Sequence, residues 1–327
     1  MLNESELINI NEDSEEEFSE IFQEEENSNF MLDALINWMR SLSILLNHED
    51  FQTSKLIGFY STVSRRETIK ESDNTVLSNI FLAINFLSAL EVFRTIPDKA
   101  NDLIRIAIIN WYYGLFYSAK AMLTATDNSM IDNHAGLARH WDTLIALKAL
   151  APRPLSFRAS SLVKKQSAEE INLLEGQFGK AVLHELYPRN INDAYKVYIN
   201  YLKGCTKFYR ELREKQIKKD NRLESFHTNQ SQGIRDKILK NHTCSFLHMA
   251  YRYRGRVNYR GAIFLGYGAG TYDFKLYFDD LYNTLKIFLL LTSVYCSKRI
   301  EENSWKLFID NLKIKSNLSI NTDFLHF

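Results

Sequence analysis

The chain has 327 residues, 45% of them apolar and 24% charged, with 12 glycines, 4 prolines and 3 cysteines, and its 40 Lys/Arg are matched by 40 Asp/Glu. That length and apolar content suffice for a large hydrophobic core, and the scarcity of Gly and Pro excludes turn-rich all-β and collagen-like chains. Cys205, Cys244 and Cys296 are far apart, odd in number and without metal-ligand spacing, and no signal-peptide pattern is visible, so buried thiols in a reducing cytoplasmic compartment are expected.

The zero net charge hides an asymmetry. Residues 1–29 hold eleven Asp/Glu and no Lys or Arg, leaving 40 basic and 29 acidic residues for the rest. Such a segment has too little apolar content to pack, and a disordered acidic tail is expected ahead of one helical domain at 30–327. The tail acts either as a solubilising leader or as a cover over basic surface. Lys203 to Arg260 alone holds fifteen Lys/Arg against five Asp/Glu, so an anionic partner is expected at 203–260.

In chain order, Met31, Leu35, Trp38, Leu42 and Leu45 recur at spacings of four and three, the mark of one helix face. Residues 51–71 are mixed. A second helix is expected from about Asn74 to Phe93, with Leu77, Ile80, Phe81, Ile84, Leu87 and Leu90 turned inward. Ile104 to Leu123 is apolar on nearly every face, which places it at the centre of a bundle. Its Ala107, Gly114, Ser118 and Ala121 would let a neighbouring helix approach closely.

A polar loop follows, leading to His134-Ala135-Gly136 and a helix through Leu150; Pro152 and Pro154 end it. Residues 151–190 read as an irregular insertion in which 155–165 could pair as a small hairpin. Asn192 onward predicts a long helix with Tyr195, Tyr198, Tyr201 and Leu202 inward, and 223–233 predicts a polar loop. From Cys244 a helix would carry His248, Arg252, Arg256 and Arg260 every four residues. Like charges so spaced need acids or a bound anion opposite them, and Arg with interleaved Tyr can grip phosphates and stack bases. Gly266 to Gly270 forms a G-x-G-x-G loop, but after a helix rather than a strand, so it reads as a flexible turn. A long apolar helix, Phe274 to Arg299, and a short one, Asn303 to Lys313, close the chain. The most apolar run, Ile287 to Cys296, is far short of a membrane span, so no membrane is expected. The fold class is therefore all-α: a multi-helix bundle around a central apolar helix, with a small irregular or β-hairpin insertion at 151–190.

NWYYGLFYSAKAML (Asn110 to Leu123), NHAGLARHWD (Asn133 to Asp142) and RYRGRVNYR (Arg252 to Arg260) together resemble the HEPN superfamily of helical bundles. The resemblance implies a metal-independent ribonuclease of a bacterial toxin or anti-phage defence system, working as a homodimer with catalytic Arg and His. An Arg would stabilise charge on phosphorus and a His would move protons at the ribose hydroxyls. The family pattern is Arg, four to six residues, then His; Arg222 with His227 and Arg235 with His242 have that spacing, whereas the late helix offers Arg254 or Arg256 followed by Asn258 and Tyr259. Candidate catalytic residues are therefore Arg256, Tyr259, His134, Arg235 and His242, and candidate RNA-binding residues are His248, Arg252, Arg254, Arg256 and Arg260. No cofactor or metal is expected, because His134 and His140 lack ligand spacing and no HExxH or CxxC occurs. The alternative is a non-catalytic HEPN-like module that binds a partner protein and regulates or scaffolds a defence complex, with Arg256, Asn258 and Tyr259 tying the late helix to the central one.

Overall fold

The computed structural model describes residues 28–96, 100–182, 185–258, 273–315, 318 and 320–327. The expected acidic tail, up to residue 27, lies outside the described residues, as do Tyr259, Arg260 and the Gly266 to Gly270 loop.

Helix α1 (Ser28–Leu46) buries Leu35, Trp38, Met39, Leu42 and Leu45, as its spacing predicts. A 3-10 turn at Glu49–Phe51 and α2 (Thr53–Phe59) fill part of the stretch left mixed by the sequence. Helix α3 (Lys70–Arg94) lies along α4 (Ala100–Asp127), the central helix. Among the described residues, α3 alone is long and apolar enough to cross a membrane, a test that bundle helices also pass.

Of the small residues of α4, all buried, Gly114 admits the close approach that the sequence predicts. A Cβ on Gly114 would lie 2.7 Å from Leu285 Cδ1, so the missing side chain is what lets α10 (Phe274–Arg299) settle against α4. One turn earlier, Trp111 is fully buried and donates from Nε1 to Thr284 Oγ1 at 2.8 Å. Trp38 of α1 meets Trp111 edge-on at 5.9 Å and stacks on Tyr201 at 4.5 Å. Burying each such ring contributes about 1.5–3 kcal/mol, and aromatic pairing adds about 1.

Helix α5 (His134–His140) continues as a π-helical turn at Trp141–Ala146, shorter than the helix to Leu150 that the sequence suggests. In the insertion, β1 (Arg158–Ala159) is followed by α6 (Lys164–Phe178). β1 does not pair within 155–165. Its antiparallel partner is β2 (Cys244–Ser245), with Arg158 opposite Ser245. The insertion is anchored by charge as well: Asp142, fully buried, accepts from Arg158 Nε at 2.8 Å and from Nη2 at 2.7 Å.

Helix α7 (Ile191–Asp220) is capped by Asn190, whose side chain accepts from Asp193 N. The region read as a polar loop is partly helical: α8 (Asn229–Leu239) starts at Thr228, whose hydroxyl accepts from Ser231 N, a local cap that outweighs the segment's polarity. Helix α9 (Phe246–Asn258) follows β2, and α11 (Glu302–Lys315) comes after α10. One cluster of buried apolar side chains extends from Leu35 to Leu325.

Candidate active site

Three elements bring one side chain each to a common point. Asn133 caps α5, its Oδ1 accepting from Gly136 N at 2.6 Å, and a Cβ on Gly136 would lie 2.7 Å from that oxygen. The Asn-His-Ala-Gly sequence thus folds into a tight helix start with His134 as its first residue. On one side of the imidazole, Tyr112 of α4 places its hydroxyl 2.9 Å from Nδ1. On the other, Arg254 of α9 places Nη1 2.8 Å from Nε2.

A guanidinium only donates, so Nε2 must accept, and the imidazole proton sits on Nδ1 and is donated to the Tyr112 oxygen. His134 is held neutral accordingly: burial first, and then the Arg254 charge, lower its pKa to about 4. Burial raises the Tyr112 phenol well above its ordinary value, against the opposing pull of Arg254. Rings enclose the group. Tyr251 stacks on His134 at 5.3 Å, Phe116 meets it edge-on at 4.8 Å, and Arg254 lies 5.2–5.7 Å from the ring centres of Tyr112, Tyr113 and Tyr251.

Among the described residues no carboxylate pairs with Arg254, and its buried Nε has no hydrogen-bond partner. Its polar company is a neutral imidazole and the faces of tyrosines. Both Arg254 and His134 are half-buried rather than sealed, so an anion arriving from solvent would find a cation with donors to spare.

The other sequence candidates lie elsewhere. His248, Arg252 and Arg256 share a stripe of α9 about 120–160° around the helix from Arg254, and that stripe faces the interior instead of solvent. Arg252 and Arg256 are 6% and 7% exposed. Arg252 packs 4.6 Å over the Phe208 ring with Nη1 3.6 Å from Cys205 Sγ, so it ties α9 to α7. His248 accepts at Nδ1 from Ser245 N at 3.3 Å, and burial lowers its pKa to about 4. The described part of the stripe that the sequence suggests as an RNA contact is thus buried, with Arg252 resting on a ring face and beside a sulfur.

Arg235 turns to Asp236 at 2.8 Å, with Glu214 at 4.0 Å and Phe226 beneath it, while His242 faces Arg213 and Arg139. The Arg235 and His242 spacing therefore does not translate into a shared site. Tyr259 and Arg260 lie outside the described residues. The sequence does not single out Tyr112 and Asn133, although both stand inside the quoted motifs, and it offers Tyr251 only as a ring beside the arginine stripe. Among the described residues no group of three His, Cys, Asp or Glu could hold a metal ion. No family model matches the chain, and no curated protein and no solved structure matches it.

Proposed function

We propose that this chain is a HEPN-like RNA-binding protein whose Arg254, His134 and Tyr112 form a site for a phosphodiester and cleave it without a metal. The observation that carries this reading is the 2.8 Å contact between Arg254 and a neutral His134, with no carboxylate on that arginine among the described residues. A bound phosphate would draw Arg254 to its non-bridging oxygens and release Nε2, whose lone pair then faces the ligand. Neutralising the cation also removes one of the two causes that depress His134, so the imidazole becomes a better base when substrate is present. His134 Nε2 then takes the 2′-hydroxyl proton, O2′ attacks phosphorus, and the bond to O5′ breaks. The products are a 2′,3′-cyclic phosphate and a 5′-hydroxyl, the latter protonated from His134.

A second reading is a module that docks a partner protein. It is favoured by the exposed apolar side chains Leu82, Val92 and Ile106 on the outer faces of α3 and α4. Equilibrium binding of a fluorescent single-stranded RNA, run at several salt concentrations, separates the two. RNA binding predicts salt-sensitive affinity that Arg254→Gln weakens about tenfold to a hundredfold, the loss of one charge-assisted contact. Salt-independent or absent RNA binding would favour the docking module.

A further inference from the structure

The aromatic side chains of α4 divide by their position around the helix. Tyr112 and Phe116 are buried beside His134, whereas Tyr113 and Tyr117, each one residue further on, come out half-buried on the side facing α3. Phe86 of α3, also half-buried, lies nearly parallel to both: 5.8 Å and 22° from Tyr113, 5.7 Å and 10° from Tyr117. Tyr113 in turn meets His134 edge-on at 5.8 Å and lies 5.7 Å beneath the Arg254 guanidinium. A continuous run of ring contacts therefore leads from that guanidinium through Tyr113 to Phe86 and Tyr117.

This row is not tied down as the deeper tyrosines are. Tyr60, Tyr198 and Tyr209 each donate to a backbone carbonyl, at 2.8, 3.1 and 2.9 Å. Among the described residues the hydroxyls of Tyr113 and Tyr117 have no hydrogen-bond partner, and both side chains keep part of their surface in water. Part-exposed rings thus adjoin an arginine that no carboxylate among the described residues pairs with. A cation for the phosphate and flat faces for the bases are the two components by which single strands are held. A duplex stacks its bases on one another and leaves their faces out of reach of such rings.

We propose that Phe86, Tyr113 and Tyr117 form a base-stacking platform beside the Arg254 phosphate site, so that the chain takes unpaired RNA and holds the nucleotides next to the scissile phosphate by their bases. The inference rests on the RNA reading of the Arg254 site and names a single strand as its substrate. Every base has a flat face, so the platform selects for strandedness rather than for sequence.

The test compares two strands of equal charge on the full chain: an eight-nucleotide oligoadenylate, and the same ribose-phosphate strand with every base removed. The unaltered chain should bind the adenylate at least about fivefold more tightly, the contribution of one stacked base. Phe86→Leu with Tyr117→Leu, which leaves Arg254 and His134 untouched, should close most of that gap while keeping the slope of log affinity against log salt, because no phosphate contact is removed. Phe86→Tyr with Tyr117→Phe keeps both rings and should keep the gap, and urea midpoints check that each pair folds. Equal affinity of the unaltered chain for the two strands, or a gap that survives the Leu pair while Arg254→Gln still weakens binding, overturns the platform alone. A Leu pair that loses the salt slope together with the gap also counts against it, since the rings would then act by holding Arg254. Absence of RNA binding by the unaltered chain overturns both the platform and the reading on which it rests.

Discussion

Arg254 Nη1 donates to His134 Nε2 at 2.8 Å, a contact between residues 120 positions apart that fixes the tautomer of the imidazole. A cation bonded to a neutral histidine holds that histidine neutral. Arg254→Gln should therefore raise the His134 pKa from about 4 toward its ordinary 6.5, stopping short of it because burial, the larger cause, remains. The same upward move should follow addition of a phosphodiester to the unaltered protein. Imidazole NMR titration reads both; a His134 pKa unmoved by the substitution would show that Arg254 does not control it.

Stability should depend on pH with a definite sign. His134, His242 and His248 are each lowered to about 4 in the folded chain, so between about pH 4 and 6.5 the unfolded chain binds protons that the folded chain does not. Their stabilisation is complete above the unfolded value and is lost as pH falls. Asp280 opposes this, because burial raises it to about 6 despite its Arg40 partner, and near pH 5 the folded chain holds that proton. The net is two protons in favour of the unfolded chain, hence a stability that rises with pH by at most about 2.7 kcal/mol per unit near pH 5. Solvent screening of the part-exposed His134 and His242 lowers it. Urea midpoints between pH 4.5 and 6.5 should climb, and a flat profile would contradict the neutral-histidine assignment.

At Gly114 of α4 the space for a Cβ is taken by the fully buried Leu285 of α10. Gly114→Ala should destabilise the chain by about 1–3 kcal/mol through overpacking, against the roughly 1 kcal/mol that Ala gains over Gly in helix propensity. Adding Leu285→Ala should be less costly in that background than alone, a coupling that a double-mutant cycle in urea measures.

Much of the framework is legible in the sequence because it depends on periodicity. The apolar stretch of α4, its small-residue side and the spacing in α1 all survive into the fold, since each is decided by which residues can be hidden. The site is less legible. The four-residue spacing sets Arg252 and Arg256 apart from Arg254, but which of the two faces meets the interior depends on the positions of α4 and α7, which turn Arg254 to His134 and Arg252 to Phe208 and Cys205. The β1 to β2 pairing joins segments about eighty-five residues apart, and two residues per strand leave no alternation to detect. The start of α8 was hidden by its polar composition, although the Thr228 cap is a local signal.

The Asp142 and Arg158 pair fastens the insertion to the bundle. Asp142→Ala leaves a guanidinium facing a buried apolar hole and should cost about 3 kcal/mol, the low end for breaking a buried pair, since the Arg158 side chain keeps 18% exposure. Hydrogen exchange should localise the loss to β1 and α6; a loss confined to α3 and α4 would contradict the anchoring role.

The most direct test of the central claim is cleavage of an end-labelled RNA pool in excess EDTA by the unaltered chain, His134→Gln and Arg254→Gln, with product ends identified. The account predicts 2′,3′-cyclic phosphate ends from the unaltered chain, a rate reduced at least a hundredfold in either variant, and RNA binding that His134→Gln retains. No cleavage by the unaltered chain, or cleavage that survives both substitutions, would contradict it.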